Sequence, residues 1–184
     1  MAVNDPTGTA AEVAAWQRSP GRGKYANPER ERRFLLAAQP PPAAQPPPAG
    51  QTRLIEDRYL SGTTLRLRRV TVGAERLYKL TQKVRLAGDD PAEVATTNIY
   101  LTAQEYQRFL PLPAAVLTKT RHLQDGGFVV DEFHGALQGL WLAEIELADL
   151  AAPLVLPGWL GREVTHEERF SGGSLAVNPP PQQV

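Results

Sequence analysis

Five stretches of this 184-residue chain carry like-charged side chains at even spacing, two or four residues apart. Three are basic: Arg66 and Arg68 in TLRLRRV, Lys79 and Lys83 with Thr81 in LYKLTQKVRL, and Lys119 and Arg121 in LTKTRHL. Two are acidic: Glu29 and Glu31, and Glu144 and Glu146 in LAEIEL. Successive side chains of a strand point to opposite faces, so each pair would project from one side of its strand. Any single pair taken alone reads as a solvated outer face. Taken together they say more, because like charges on one face repel, and neighbouring strands of one sign would be worse. Basic pairs on some strands could instead face acidic pairs on others. A barrel interior lined in this way suits a ligand with many negative charges, accompanied by a cation on the carboxylates. Polyphosphate with Mg²⁺ or Mn²⁺ has that chemistry. Hard cations take carboxylate and phosphate oxygens together, and the guanidinium fork matches phosphate geometry.

The elements that must hold these residues alternate with period two. Strands are expected over Arg30–Leu36, Leu54–Leu60, Thr64–Val70, Leu77–Leu86, Ala95–Leu101, Val116–Leu123, Phe128–Phe133 and Trp141–Leu147. Thr102–Leu110 has a Thr cap and helical spacing, and Pro111 and Pro113 end it. Asp125-Gly126-Gly127 and the stretch from Gly135 to Gly139 are turn signals. Pro153–Gly161 reads as a loop or short helix carrying Trp159. The class is α+β and strand-dominated, a closed antiparallel barrel with few helices.

Around this domain the composition changes. Residues 1–23 mix small and polar residues with Gly and Pro and read as a mobile leader, and 177–184 as a flexible tail. Between them, 24–176 is the folded part. It is interrupted at 37–50 by a tandem AAQPPP repeat, whose Pro runs favour extended polyproline II and take no part in a core. Lys plus Arg number 20 and Asp plus Glu 20, a formal net charge of zero, which excludes a basic nucleic-acid coat or an acidic solvating tail on global charge alone. Cys is absent, so there is no disulfide, thiolate metal site or Cys nucleophile. No apolar run approaches a membrane span, and the N-terminus lacks the pattern of a secretory signal. The expectation is a soluble cytoplasmic protein, monomer or homodimer, with a triphosphate or polyphosphate ligand and neither nucleic acid nor membrane as partner.

Glu29-Arg30-Glu31-Arg32-Arg33 resembles the ExExK strand that opens CYTH domains, the triphosphate tunnel metalloenzymes. Further landmarks follow in the family's order: Tyr59-Leu60, Leu65 to Arg68, Leu80 to Lys83, Lys119 to His122, Val130 to Phe133, Ala143 to Leu147, Glu163 to Thr165, and Arg169-Phe170. The resemblance implies an antiparallel barrel of eight strands around a charged tunnel. It also implies metal-dependent hydrolysis of inorganic triphosphate or a small organic triphosphate. Carried over by position, Arg33, Arg66, Arg68, Lys83, Lys119 and Arg121 hold the triphosphate, and Glu29, Glu31, Asp131, Glu144 and Glu146 hold Mg²⁺ or Mn²⁺. Glu29, Glu31 and Glu146 are the catalytic candidates among them.

The chain departs from the family pattern in two places. Arg33 stands where Lys is usual; it can clamp phosphate but makes a poor base. Val94 and Thr96 stand where the next strand normally carries an E-x-E pair, with Glu93 one residue out of step unless a bulge re-aims it. Asp57, where many members have Gln, is a partial replacement. Two other readings remain: a non-catalytic binder of triphosphate or polyphosphate, and a class IV adenylate cyclase. The cyclase type carries His-Phe upstream of ExExK, where this chain has Gly23 and Lys24. His122, His134 and His166 have no helical-spacing partner and read as surface or rim residues. Ser171-Gly172-Gly173-Ser174 reads as a C-terminal loop.

Overall fold

Alternating charged and apolar residues have a simple solution when both faces of a sheet can be used, and this chain adopts it. The computed structural model describes residues 20–21, 24–37, 52–85 and 92–179. Among them lie nine strands: β1 (Asn27–Leu36), β2 (Thr52–Leu60), β3 (Leu65–Val72), β4 (Glu75–Arg85), β5 (Glu93–Leu101), β6 (Ala114–Leu123), β7 (Val129–Phe133), β8 (Trp141–Glu146) and β9 (Leu160–Glu163). Neighbours run β5-β4-β3-β2-β6-β7-β8-β1, every pair antiparallel, and β1 returns to β5. Eight strands therefore close into a barrel, with the short β9 added beside β1.

β1 closes the ring by dividing one of its edges. Residues Asn27 to Arg30 pair with β5, and Phe34 and Leu36 pair with the short β9. Between them the Glu31 N–H donates to the Ala92 carbonyl at 3.1 Å, and the Arg33 N–H donates to Thr165 Oγ1 at 3.0 Å. The opposite edge pairs with β8, setting Glu31 across from Glu146 and Arg33 across from Glu144.

The barrel turns its charges inward and much of its apolar surface outward. On β7, Asp131 and Val130 point to opposite faces and both are fully buried. On β3, Leu67 is buried behind the inward-facing Arg66 and Arg68. Outside β1, β7 and β8, a cluster of Phe34, Phe128, Val130, Ala143 and Ile145 is covered by Leu154, Trp159 and Leu160. At one end the inward-facing Leu117, Phe133 and Leu142 pack with Val164, Phe170 and Leu175 into a plug. The plug and the covered outer face give the barrel its apolar cores, so the bore itself can stay polar.

All eight expected strands form, each within three residues of its expected limits. The expected helix is α1 (Ala103–Phe109), started by a reciprocal capping box between Thr102 and Glu105. Its Tyr106 packs on Tyr78 and donates to Glu56, fixing α1 against the outside of the barrel. Two elements differ from expectation. β9 begins inside the stretch read as a loop or short helix, and its four residues show no alternation to announce it. The segment read as a C-terminal loop is a helix, α2 (Gly172–Val177), capped by Ser171, whose Oγ accepts from the Ser174 N–H at 3.3 Å. Gly172 is needed there by contact, since a Cβ would sit 2.1 Å from the Tyr59 hydroxyl. The Pro-rich repeat and most of the leader lie outside the described residues, as does the tail from residue 180.

Candidate functional site

The barrel encloses a cavity of about 990 Å³ lined by ten Lys or Arg side chains and five Glu. Strand register explains its organisation. β3 and β4 pair so that Arg66 faces Thr81 and Arg68 faces Lys79. Lys83, two residues along from Thr81, lies opposite Thr96 of β5. β6 adds Lys119 and Arg121. This is a continuous basic wall. The opposing acidic wall comes from β1 with Glu29 and Glu31 and from β8 with Glu144.

The basic residues are held by carboxylates behind or beside them. Asp57, 1% exposed, takes both Arg68 hydrogen bonds at 2.6 Å and lies 3.5 Å from Arg66. Burial alone would raise its pKa, but Arg68 and Arg66 outweigh that and hold it far below the usual carboxylate range. Asp57 is thus the anchor of the β3 arginines. Asp131 does the same for β6: it ion-pairs with Lys119 and accepts two hydrogen bonds from Arg121 at 2.7 Å. Lys83 Nζ lies 2.6 Å from Glu29, which also accepts from the Thr96 hydroxyl at 2.6 Å. Burial opposes the charge on Glu29, while Lys83 and the two hydrogen bonds lower its pKa.

Arg33 faces the cavity but its fork is partly engaged. Its Nη1 donates to the Phe170 carbonyl at 3.3 Å and its Nη2 to the Thr165 carbonyl at 3.2 Å. A lysine could not bond two carbonyls in one plane. Arg33 therefore ties the plug segment to the acidic wall, and lies 3.8 Å from Glu31.

Glu31 and Glu144 titrate in opposite directions. Burial and then the neighbouring Glu144 charge push Glu31 up. Glu144 is also opposed by burial, but Lys119, Arg121, Arg33 and Lys83 hold it far below the normal range. Its carboxylate accepts from Arg121 at 2.5 Å. Glu146, opposite Glu31 in the ladder, is exposed and lies outside the cavity lining.

Among the described residues no three acidic side chains cluster closely enough to hold a metal ion by themselves. The donor chemistry nevertheless fits Mg²⁺ or Mn²⁺ completed by a substrate. Such hard ions commonly use one or two carboxylates plus phosphate oxygens and water. Glu31 and Glu144 offer that pair, and their mutual repulsion is what a divalent cation relieves.

The β5 strand adds no acid to this wall. Glu29 pairs with Val94 and Asn27 with Thr96 in unbroken register, so no bulge re-aims Glu93. Val94 and Thr96 line the cavity, while Glu93 meets Arg30 on the outer surface at 2.5 Å. The histidines lie apart from the cavity lining: His122 stacks on Trp141, and His134 Nε2 lies 2.8 Å from the Thr120 hydroxyl. Lys79 was visible in the sequence as sharing a face with Lys83, yet it was not among the expected ligands. Asn98, whose Oδ1 accepts from the Thr81 hydroxyl at 2.7 Å, carried no sequence signal.

Comparison with known proteins agrees with this arrangement. No family model matches the chain. An inorganic triphosphatase of Acetivibrio thermocellus is 37% identical over 100 residues, covering 47% of this chain and 64% of that protein. An inorganic triphosphatase of Nitrosomonas europaea is 40% identical over 68 residues, covering 34% of this chain and 45% of that one. The matches thus span less than two thirds of the length of these curated relatives. A crystal structure of an inorganic triphosphatase superposes with a TM-score of 0.52 at 25% identity, over 83% of this chain and 96% of that one. The closed antiparallel barrel with its charged bore is thus the fold of that solved triphosphatase, and part of the chain is similar in sequence to the two curated ones.

Proposed function

We propose that this protein hydrolyses a triphosphate, either inorganic triphosphate or a small organic one, with Mg²⁺ or Mn²⁺ bound at the acidic wall. The observation that carries the reading is the division of one cavity into a basic wall on β3, β4 and β6 and an acidic wall on β1 and β8. The inorganic triphosphatase activity of the relatives supports the same reaction.

In this reading Arg66, Arg68, Lys83, Lys119 and Arg121 bind and align the phosphates, and Arg33 completes the set beside the plug. Asp57 and Asp131 keep three of these arginines and Lys119 pre-oriented, so little rearrangement is needed when the anion enters. Glu31 and Glu144 hold the cation, with Glu29 beside Lys83 available as a further oxygen donor, while Glu146, exposed and outside the lining, is left out of the set. The bound ion supplies charge neutralisation at phosphate oxygens and a lowered pKa for water. Most of the acceleration comes from positioning and charge stabilisation, as is general for phosphoryl transfer.

One observation favours a second reading, a non-catalytic binder: Val94 and Thr96 leave the β5 wall neutral. A phosphate-release panel with triphosphate, ATP and thiamine triphosphate, each with Mg²⁺ and Mn²⁺, separates the two. Hydrolysis requires metal-stimulated release from at least one substrate, and a binder gives none with any.

A further inference from the structure

Lys79 lies in the basic wall without the arrangement that serves its neighbours. Arg68 has Asp57, Lys83 has Glu29, and Lys119 and Arg121 have Asp131. Lys79 lines the same cavity, and no carboxylate among the described residues lies within ion-pair distance of it. Its position is set by the register: it stands between Arg68 of β3 and Tyr100 of β5, all on the inward face. A cation placed beside other cations and given no counter-charge costs stability, so its partner must come from elsewhere.

We propose that Lys79 is a substrate-contacting residue of this bore, an additional phosphate ligand that draws its counter-charge from the bound anion. The proposal rests on the reading of the cavity as a triphosphate site and adds a residue to it.

The charged surroundings of Lys79 accord with that role. From β3, Arg68 and Arg66 face it; from its own strand, Lys83; from β1, Glu29, which only partly offsets them; and Tyr100 is its neighbour on β5. Asp57 on β2 is occupied by the arginines. Burial, and then Arg68 and Arg66, push the Lys79 ammonium down to about 8. At mildly alkaline pH the empty site therefore holds Lys79 partly neutral. A polyanion arriving beside it restores the ammonium, so binding takes up a proton from solvent. Arginine in the same place would supply the charge without the titration, since guanidinium stays protonated.

The test is calorimetric titration of inorganic triphosphate in excess EDTA at pH 8, repeated in two buffers of different ionisation enthalpy to count protons. The wild type should bind with a component of proton uptake beyond the titration of the ligand's own terminal phosphate, which is common to all variants. K79M should bind at least about tenfold more weakly, the scale expected for losing a charge-assisted hydrogen bond, and with that uptake abolished. K79R should recover most of the affinity but not the uptake. Unchanged melting temperatures in the two variants exclude misfolding, and a variant that melts early is replaced by K79Q. Wild-type binding with K79M showing equal affinity and equal proton uptake overturns the Lys79 proposal alone. Absence of any binding by the wild type overturns the triphosphate-site reading and this proposal with it.

Discussion

Asp57 and Arg68 grip each other across β2 and β3 through two hydrogen bonds of 2.6 Å, one to each carboxylate oxygen. Both residues are buried, and Arg66 shares the same carboxylate at 3.5 Å. The pair sits directly behind the basic wall, so it links the stability of the barrel to the geometry of the site.

Asp57→Asn leaves two buried arginines short of a counter-charge. It should cost about 3 kcal/mol of stability at neutral pH, the scale for breaking one side of a buried pair. The pKa of Asp57 is depressed below its ordinary 3.8 on folding. Its contribution is therefore complete above that value and is lost as the pH falls below it. Denaturant titrations from about pH 5 to pH 2 should show a steeper loss in the wild type than in the variant. Parallel curves would show that Asp57 carries no such linkage.

Arg66 is the cleaner probe of ligand binding, because Arg68 keeps Asp57 paired when Arg66 is removed. Arg66 Nε is buried with no hydrogen-bond partner among the described residues. Arg66→Met should weaken triphosphate binding by about tenfold or more, with only a small change in melting temperature. Calorimetry giving unchanged affinity in the folded variant would remove Arg66 from the binding set.

Glu93 offers a test of orientation. Its contact with Arg30 is on the outer surface, with both side chains about one-third exposed. Glu93→Gln should alter stability by less than about 1 kcal/mol, as surface pairs do, and leave turnover unchanged. A large loss of metal-dependent activity would mean that this carboxylate reaches the bore.

Gly172→Ala tests the seam between plug and barrel. The added methyl would fall 2.1 Å from the Tyr59 hydroxyl, forcing Tyr59 or α2 to move. Overpacking of this kind costs about 1–3 kcal/mol, to be read as a lowered melting temperature. An unchanged melting temperature would mean that α2 docks less tightly than the contact requires.

Much of this architecture was legible because inward charge and outward apolar residues alternate on the same strands. TLRLRRV and LAEIEL announce both the period and the chemistry. The expected triphosphate residues Arg33, Arg66, Arg68, Lys83, Lys119 and Arg121 do converge on one cavity, as do Glu29, Glu31 and Glu144. The sequence was silent where a residue's role depends on a partner from another strand. Asp57 reads as a spare acid until Arg68 is seen to occupy it. Asp131 reads as a metal ligand until Lys119 and Arg121 take its oxygens. β9 and α2 escaped notice because a four-residue strand has too few positions to alternate. A helix opening on two glycines also looks like a turn.

Steady-state phosphate release from inorganic triphosphate, followed with and without excess EDTA in the wild type and in Glu31→Gln, tests the central claim most directly. Glu31 is the carboxylate that burial and Glu144 push up, and glutamine keeps its shape while removing its charge. The account predicts release that is stimulated by Mg²⁺ or Mn²⁺, abolished by EDTA, and reduced by about a hundredfold in Glu31→Gln, while calorimetry shows triphosphate still bound by the variant. Hydrolysis that proceeds equally well in EDTA, or that is indifferent to Glu31→Gln, would contradict it.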